Sequence, residues 1–202
     1  VTVWFTSDLH FGHEKVARMR LGELASLHDA GIADIWADQV RKGDQVWVLG
    51  DVTGSTATGK VRGAVDILRE LPGEKHLVWG NHDAGHPMYR DAHRKGAQYL
   101  TVNGGAFVSA QMAARRRING ASVLLSHFPY VGDHATPGRH QEWRLRNHGS
   151  PILHGHTHST TWLSVEPSTL PYAPQIHVGW DAWSRLVSLD EVAALLETVQ
   201  TR

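Results

Sequence analysis

Cysteine is absent from the 202-residue chain, which excludes disulfides and thiolate metal sites and leaves metal ligation to histidine, aspartate and asparagine. Charge of one sign is missing too. Lys plus Arg and Asp plus Glu number 20 each, so no surplus predicts general attraction to nucleic acid or to a membrane surface. No apolar run approaches the roughly 18 residues of a transmembrane helix, and the N-terminus reads as a strand without a basic flank. We therefore expect a soluble, unexported protein of the cytoplasm. Neither a repeat, a low-complexity tract nor a linker divides the chain, and its length suits one domain over residues 1–202. What the chain has in excess is histidine, at 15.

Five short β-branched, aromatic or leucine-rich runs, at residues 1–5, 45–49, 76–79, 122–125 and 151–153, have the composition of buried strands. Each is followed by polar residues that suit a metal: Asp8 and His10, Asp51, Asn81 with His82 and Asp83, His127, and His156 with His158. In an open α/β sheet the carboxyl ends of the strands face a common crevice, so residues distant in sequence meet there. Ordinary turn polars would not recur at five strand ends in succession, and we expect one dinuclear metal site. Asp8 and His10 supply an oxygen and a nitrogen from one loop, and Asp51 has two oxygens with which to bridge. Asn81 adds a neutral oxygen. His127, His156 and His158 complete the two shells, the latter two pointing alike if their segment is extended.

Leu24, Leu27, Ile32, Ile35, Trp36 and Val40 keep helical spacing and predict a helix over residues 23–41, weakened locally by Gly31. Further helices are expected over 60–70, stopped by Pro72-Gly73, and over 87–95, opened by Pro87. Strand, loop and helix in repetition imply a parallel sheet. Residues 98–102, 106–110 and 113–118 then read as strands joined by tight turns, with Asn119-Gly120 as a hairpin turn, which suggests a second, partly antiparallel sheet. Arg115-Arg116-Arg117 lies within it, as a phosphate patch or a solvated strand. Residues 130–150 form a polar loop of a length that is often functional. Strands at 160–165, 175–178 and 186–188 and a helix over 190–199, capped by Asp190, complete the chain. Histidines outside the motifs are expected at the surface or in loops, except His154, which falls inside a strand run and reads as buried.

Asp8-Leu9-His10, Gly50-Asp51, Gly80-Asn81-His82-Asp83, His127 and Gly155-His156-Thr157-His158 match, in order, D-x-H, G-D, G-N-H-D/E, H and G-H-x-H. On these motifs the chain resembles the calcineurin-like metallophosphoesterases. Asp8-Leu9-His10-Phe11-Gly12-His13 and Val178-Gly179-Trp180-Asp181-Ala182-Trp183 resemble their small, single-domain phage and bacterial branch. The resemblance implies an α/β fold, a four-layer αββα sandwich of two mixed β-sheets flanked by helices. It implies one ion held by Asp8, His10, Asp51 and His158 and a second by Asp51, Asn81, His127 and His156. Two divalent ions are expected, Mn2+ first, with Fe, Zn, Ni or Co as alternatives. The segment Gly50-Asp51-Val52-Thr53-Gly54-Ser55 departs from the G-D-x-x-D-R-G of protein Ser/Thr phosphatases: the second acid and the arginine are missing. Any partner orienting His82 must come from elsewhere, and small diesters are favoured over phosphoproteins.

The expected activity is metal-dependent hydrolysis of phosphodiester bonds in small substrates, with 2',3'-cyclic nucleotides as one candidate class. A hydroxide bridging the metals attacks phosphorus, and His82, through a near-neutral pKa, protonates the departing oxygen. Alternatively His82 only orients the phosphate. His13 either contacts substrate phosphate or caps a helix. Arg139, His140 and Arg144 either line the substrate cleft or lie on a solvated loop face. Trp180 and Trp183 stack a base or belong to the core. Two other readings are a nuclease acting on DNA or RNA ends, against which the neutral charge balance counts, and a non-catalytic metal-binding interaction module on the same fold, against which the intact ligand set counts.

Overall fold

Alternation along the strands sorts the apolar residues into two cores, one on each face of a central sheet. The computed structural model describes residues 1–165 and 172–200. The first sheet has the order β10-β1-β2-β3-β4, formed by β1 (Val3–Thr6), β2 (Gln45–Val48), β3 (Glu74–Val78), β4 (Phe107–Gln111) and β10 (Val187–Ser188). Its first four strands run parallel, with β10 antiparallel on the edge of β1. The second sheet has the order β5-β6-β7-β9-β8, from β5 (Ala114–Ile118), β6 (Ala121–Leu125), β7 (Ile152–His154), β8 (Leu163–Val165) and β9 (Pro174–His177). This is the two-sheet α/β sandwich that the motifs implied.

Phe5, Trp47, Leu49 and Val78 from the first sheet pack against Val123, Leu125, Leu153 and Ile176 from the second, closed at the side by Val192 and Leu196 of α6 (Leu189–Gln200). The other face of the first sheet presents Val46, Val48 and Leu77 to α2 (Ala25–Gln39) and α3 (Thr58–Glu70), which bury Ile32, Trp36, Val61, Val65 and Leu68. Parallel strands covered on both faces need this continuous apolar composition. On the outer face of the second sheet, Tyr130 and Leu145 from the long loop pack on Ile152 and Leu124.

Several element boundaries differ from expectation. The expected helix over 23–41 is preceded by a separate α1 (Glu14–Leu21), which ends at Gly22 in a left-handed cap, φ 69°. Only Ala17 of α1 is buried, so its sequence carries little apolar periodicity. In α2 the inward face is Ala25, His28, Ile32 and Trp36, while Leu24, just before the helix, and Leu27 and Ile35 within it are exposed. Within 87–95 only α4 (Ala92–Lys95) is α-helical, and residues 98–102 form 3-10 turns rather than a strand. The buried Tyr99 holds those turns, its hydroxyl accepting from the Ala84 N–H at 3.1 Å. β4 extends the first sheet parallel to β3 instead of opening the second. The Asn119-Gly120 hairpin turn forms as expected, with φ 47° and 78°. Arg115 and Arg117 of β5 point to solvent and Arg116 lies over the Trp47 ring, so the triplet is a solvated strand. Short α5 (Trp180–Trp183) follows β9. Among the described residues no helix is long and apolar enough to cross a membrane.

Asp44, just before β2, ties the start of the first sheet together: its buried carboxylate accepts from Thr2 N at 2.7 Å, Arg41 N at 2.9 Å and Trp4 Nε1 at 3.1 Å. The Thr2 and Arg41 N–H groups hold its pKa below the ordinary carboxylate value. Asp44→Ala should cost about 1–3 kcal/mol by leaving buried donors unpaired, measured by urea unfolding. Because the folded pKa is depressed, this contribution is full above the unfolded pKa of about 4 and is lost as pH falls through the folded value. The wild-type and variant stabilities should therefore converge in acid.

Candidate metal centre

The seven residues expected as ligands meet at the carboxyl ends of β1, β2, β3, β6 and β7. Five of them occupy the left-handed backbone region: Asp8 (φ 58°), His10 (52°), Asp51 (55°), His156 (70°) and His158 (50°). Such conformations cost of order 1–3 kcal/mol each for residues with a Cβ, and they persist only where surrounding bonds over-determine them. Here Asp8 N–H donates to Gly50 O and His10 N–H to Asp51 O, each at 3.0 Å. The buried Asp83 carboxylate accepts from Gly80 N at 2.8 Å and from Asp51 N and Val52 N at 3.0 Å, which locks the second motif onto the third. Two motif glycines are required by space alone. A Cβ on Gly155 would sit 1.9 Å from Ser7 Oγ, and one on Gly80 would sit 2.3 Å from Asp51 Oδ1.

Hydrogen-bond accounting shows what this centre lacks. His127 donates through Nδ1 to Leu49 O at 2.7 Å, and burial holds its pKa down, so the neutral ring turns a bare Nε2 toward Asn81 Oδ1 at 3.0 Å and Asp51 Oδ2 at 3.5 Å. His156, whose pKa burial lowers to about 3, directs Nε2 at Asp133 Oδ2, 3.2 Å away, and Nδ1 at the same Asn81 oxygen, 2.9 Å away. His158 donates through Nδ1 to Asp181 Oδ2 at 2.8 Å, and its Nε2 meets His10 Nε2 at 3.2 Å. Lone pairs converge with few protons to share. Asp51 is pushed well above the usual carboxylate range by burial and by the Asp8 charge, whereas burial opposes charge on His158 but Asp181 and Asp8 raise its pKa overall. Both shifts favour added positive charge at the centre. Neutral imidazole, amide oxygen and carboxylate form a donor set that fits borderline divalent cations. Donor atoms of Asp8, His10 and His158, and likewise of Asp8, Asp51 and His127, lie within 4.8 Å of one another. Asp8 is common to both groups, and Asp51 Oδ2 of the second lies 3.8 Å from His10 Nε2 of the first and 3.5 Å from His127 Nε2.

Around these donors lies a shell of charged groups that the sequence motifs did not single out. Asp133 backs His156 and is itself held by Arg139 and by the buried guanidinium of Arg144. Asp181 backs His158 and receives a two-pronged bond from Arg20, through Nε at 2.9 Å and Nη2 at 2.6 Å. Arg20 Nη2 also donates to the Asp8 carbonyl at 2.8 Å. Arg144 therefore organises its loop, also donating to Gly132 O at 2.8 Å, rather than lining the cleft. His28, His86, His154 and His177 are buried; of these only His154 was expected to be. His177 Nε2 lies 4.0 Å from Asp8 Oδ2.

His82 stands at the rim, its side chain 44% exposed and its Nε2 4.0 Å from Asp51 Oδ2, while its backbone N–H donates to Asp51 Oδ1 at 2.9 Å. Asp83 faces the backbone and is not its partner. Partial burial pushes the His82 pKa down to about 4, aided by His127 and His13, below the near-neutral value expected. His13 is the cap of α1, accepting from Val16 N at 3.1 Å, and also lines the cleft. Arg139 lines it from the long loop, whereas His140 packs on Phe128 and His156. Trp180 is buried along the cleft, while Trp183 packs on Trp162 and donates to His177 O at 2.8 Å. The cleft, about 870 Å³, opens from the donor cluster toward α1 and α2.

Residues 19–172 match the model of the calcineurin-like phosphoesterase superfamily domain. The Gene 66 protein of Mycobacterium phage L5 is 44% identical over 204 aligned residues, covering 97% of this chain and 94% of its own. The Gene 66 protein of Mycobacterium phage D29 is 46% identical, covering 98% and 97%. The crystal structure of a protein of unknown function from Aquifex aeolicus is similar in fold, with a TM-score of 0.65 at 21% identity over 96% of this chain and 98% of that one.

Carboxylates behind ligating histidines fix ring orientation and basicity, and their loss weakens metal binding about 10–100-fold. Asp181→Asn and Asp133→Asn should each weaken one of two Mn2+ binding events by that factor in calorimetric titration, with the other event little changed. Asp51→Ala, which removes the shared oxygen, should leave fewer than two tightly held ions by elemental analysis.

Proposed function

Because the chain belongs to the calcineurin-like phosphoesterase superfamily, we propose that it hydrolyses phosphate esters with two divalent ions at this centre, and that its substrates are small phosphodiesters. The observation that carries this reading is the convergence of donor atoms from Asp8, His10, Asp51, Asn81, His127, His156 and His158, with Asp51 Oδ2 within 4 Å of both His10 Nε2 and His127 Nε2. Asp8, His10, Asp51 and His158 would hold one ion and Asp51, Asn81, His127 and His156 the other, Mn2+ being our first choice. Such a pair supplies an activated water and neutralises phosphoryl oxygens.

The chain's own side chains then position the ester. His82, exposed at the rim, reaches the departing oxygen. Its low pKa leaves the ring neutral at pH 7 in the empty cleft, and an anionic phosphate against Nε2 raises its affinity for the proton it delivers. Diesters are favoured over monoesters by charge. Of the cations lining the cleft, Arg20 is committed to Asp181 and Arg139 to Asp133, which leaves Lys15 of α1 to face a monoester dianion. A nuclease would need a longer basic track, and the exposed Arg115 and Arg117 of β5 do not line the cleft.

His82→Ala should retain metal and lose about 10²–10⁴-fold in turnover of diesters with poor leaving groups, with a much smaller loss on activated aryl diesters. Equal losses on both would leave His82 only a phosphate-orienting role. A Mn2+-supplemented panel of 2',3'-cyclic, 3',5'-cyclic, dinucleotide and mononucleotide substrates should show diester turnover exceeding monoester turnover; the reverse would overturn the diester assignment.

A further inference from the structure

The cleft does not end at the metal centre. Beyond it the wall is made by α1, α2 and α5, which contribute Val16, Met19, Leu21, Ile32, Ile35 and Trp180. Three of these are large apolar side chains left open to solvent on neighbouring helices: Met19 at 76%, Leu21 at 58% and Ile35 at 38% exposure. Exposed apolar surface in such a grouping beside a polar centre is the composition of a ligand groove, in which few polar groups fix orientation and apolar walls supply contact. Gly31 lies in the same wall, in the interior of α2, where glycine is less favourable than alanine. Nothing lies within 4 Å of the Cβ that an alanine would add there, so its missing side chain leaves space rather than relieving a clash.

We propose that this arm seats the apolar or aromatic half of a phosphodiester whose phosphate is anchored at the metal centre. The substrate is thus an ester of a bulky, flat or aliphatic alcohol rather than of a small polar one. Continuity decides the occupant: the arm and the donor cluster are one cleft, so a molecule held by its phosphate places its ester group along α1 and α2. This rests on the phosphoesterase reading of the centre.

The test uses the Mn2+-loaded protein and two non-hydrolysable probes that are monoanions like a diester, methylphenylphosphinate and dimethylphosphinate, titrated by calorimetry. The wild type should bind the phenyl probe at least tenfold more tightly. Gly31→Leu should fill the arm, abolish that preference and leave dimethylphosphinate binding unchanged, while Gly31→Ala should raise Tm and so show that the helix tolerates a side chain. In turnover, Gly31→Leu should raise KM for bis(p-nitrophenyl) phosphate about tenfold and leave p-nitrophenyl methyl phosphate, with the same leaving group, unaffected. Equal binding of both phosphinates by the wild type, or an unchanged preference in Gly31→Leu, would overturn the arm while leaving the metal centre intact. Binding of neither would remove the phosphoesterase reading and the arm with it. A dimer in sedimentation that Met19→Glu dissociates would assign the surface to a second copy of the chain instead.

Discussion

The structure turns on a shortage of protons. Around Asn81 and Asp51, imidazoles of His127, His156 and His158 already committed through their other ring nitrogens to Leu49 O, Asp133 and Asp181 direct lone pairs at the Asn81 oxygen and at His10. Burial keeps His127 and His156 neutral, so protonating them is a poor remedy. Divalent cations, as proposed, would satisfy these acceptors at once and would also offset the cost of placing Asp8 and Asp51 together in a dry site.

The surrounding backbone holds that arrangement in place. Left-handed backbone at five of the candidate ligand positions aims the side chains inward, and Asp83, at the centre of three backbone N–H bonds, keeps two of the motif loops in register. The parallel strands of the first sheet bring their ends to one edge, and the second sheet contributes His127, His156 and His158 from across the sandwich. Outside the candidate ligands, two carboxylate–arginine groups divide the work: Asp181 with Arg20 supports His158, and Asp133 with Arg139 and Arg144 supports His156. The second group comes from the long loop over residues 130–150, which explains why a segment with so little regular structure is held by so many side-chain bonds.

That the seven candidate ligands meet was legible in the sequence because each follows a buried strand run, a local pattern of apolar residues and then a metal-type side chain. Asp133, Asp181 and Arg20 were not, since their roles depend on contacts spanning 23 to 161 residues of chain. Asp181 did lie inside a motif noticed as Gly179-Trp180-Asp181, but only geometry shows which histidine it backs. In the fold, helix α1 was invisible because its one buried residue gives no stripe, and the helical spacing of Leu24, Leu27 and Ile35 marks a helix without telling that these three face outward. β4 was placed in the wrong sheet for a related reason: a short apolar run says that a strand exists and not which neighbour it pairs with.

The most direct measurement on the central claim is the electron paramagnetic resonance spectrum of the protein titrated with Mn2+. Two ions sharing the Asp51 carboxylate are predicted to give an exchange-coupled spectrum that develops as the second equivalent binds. A spectrum of isolated Mn2+ at every loading, or saturation at a single ion, would contradict the account.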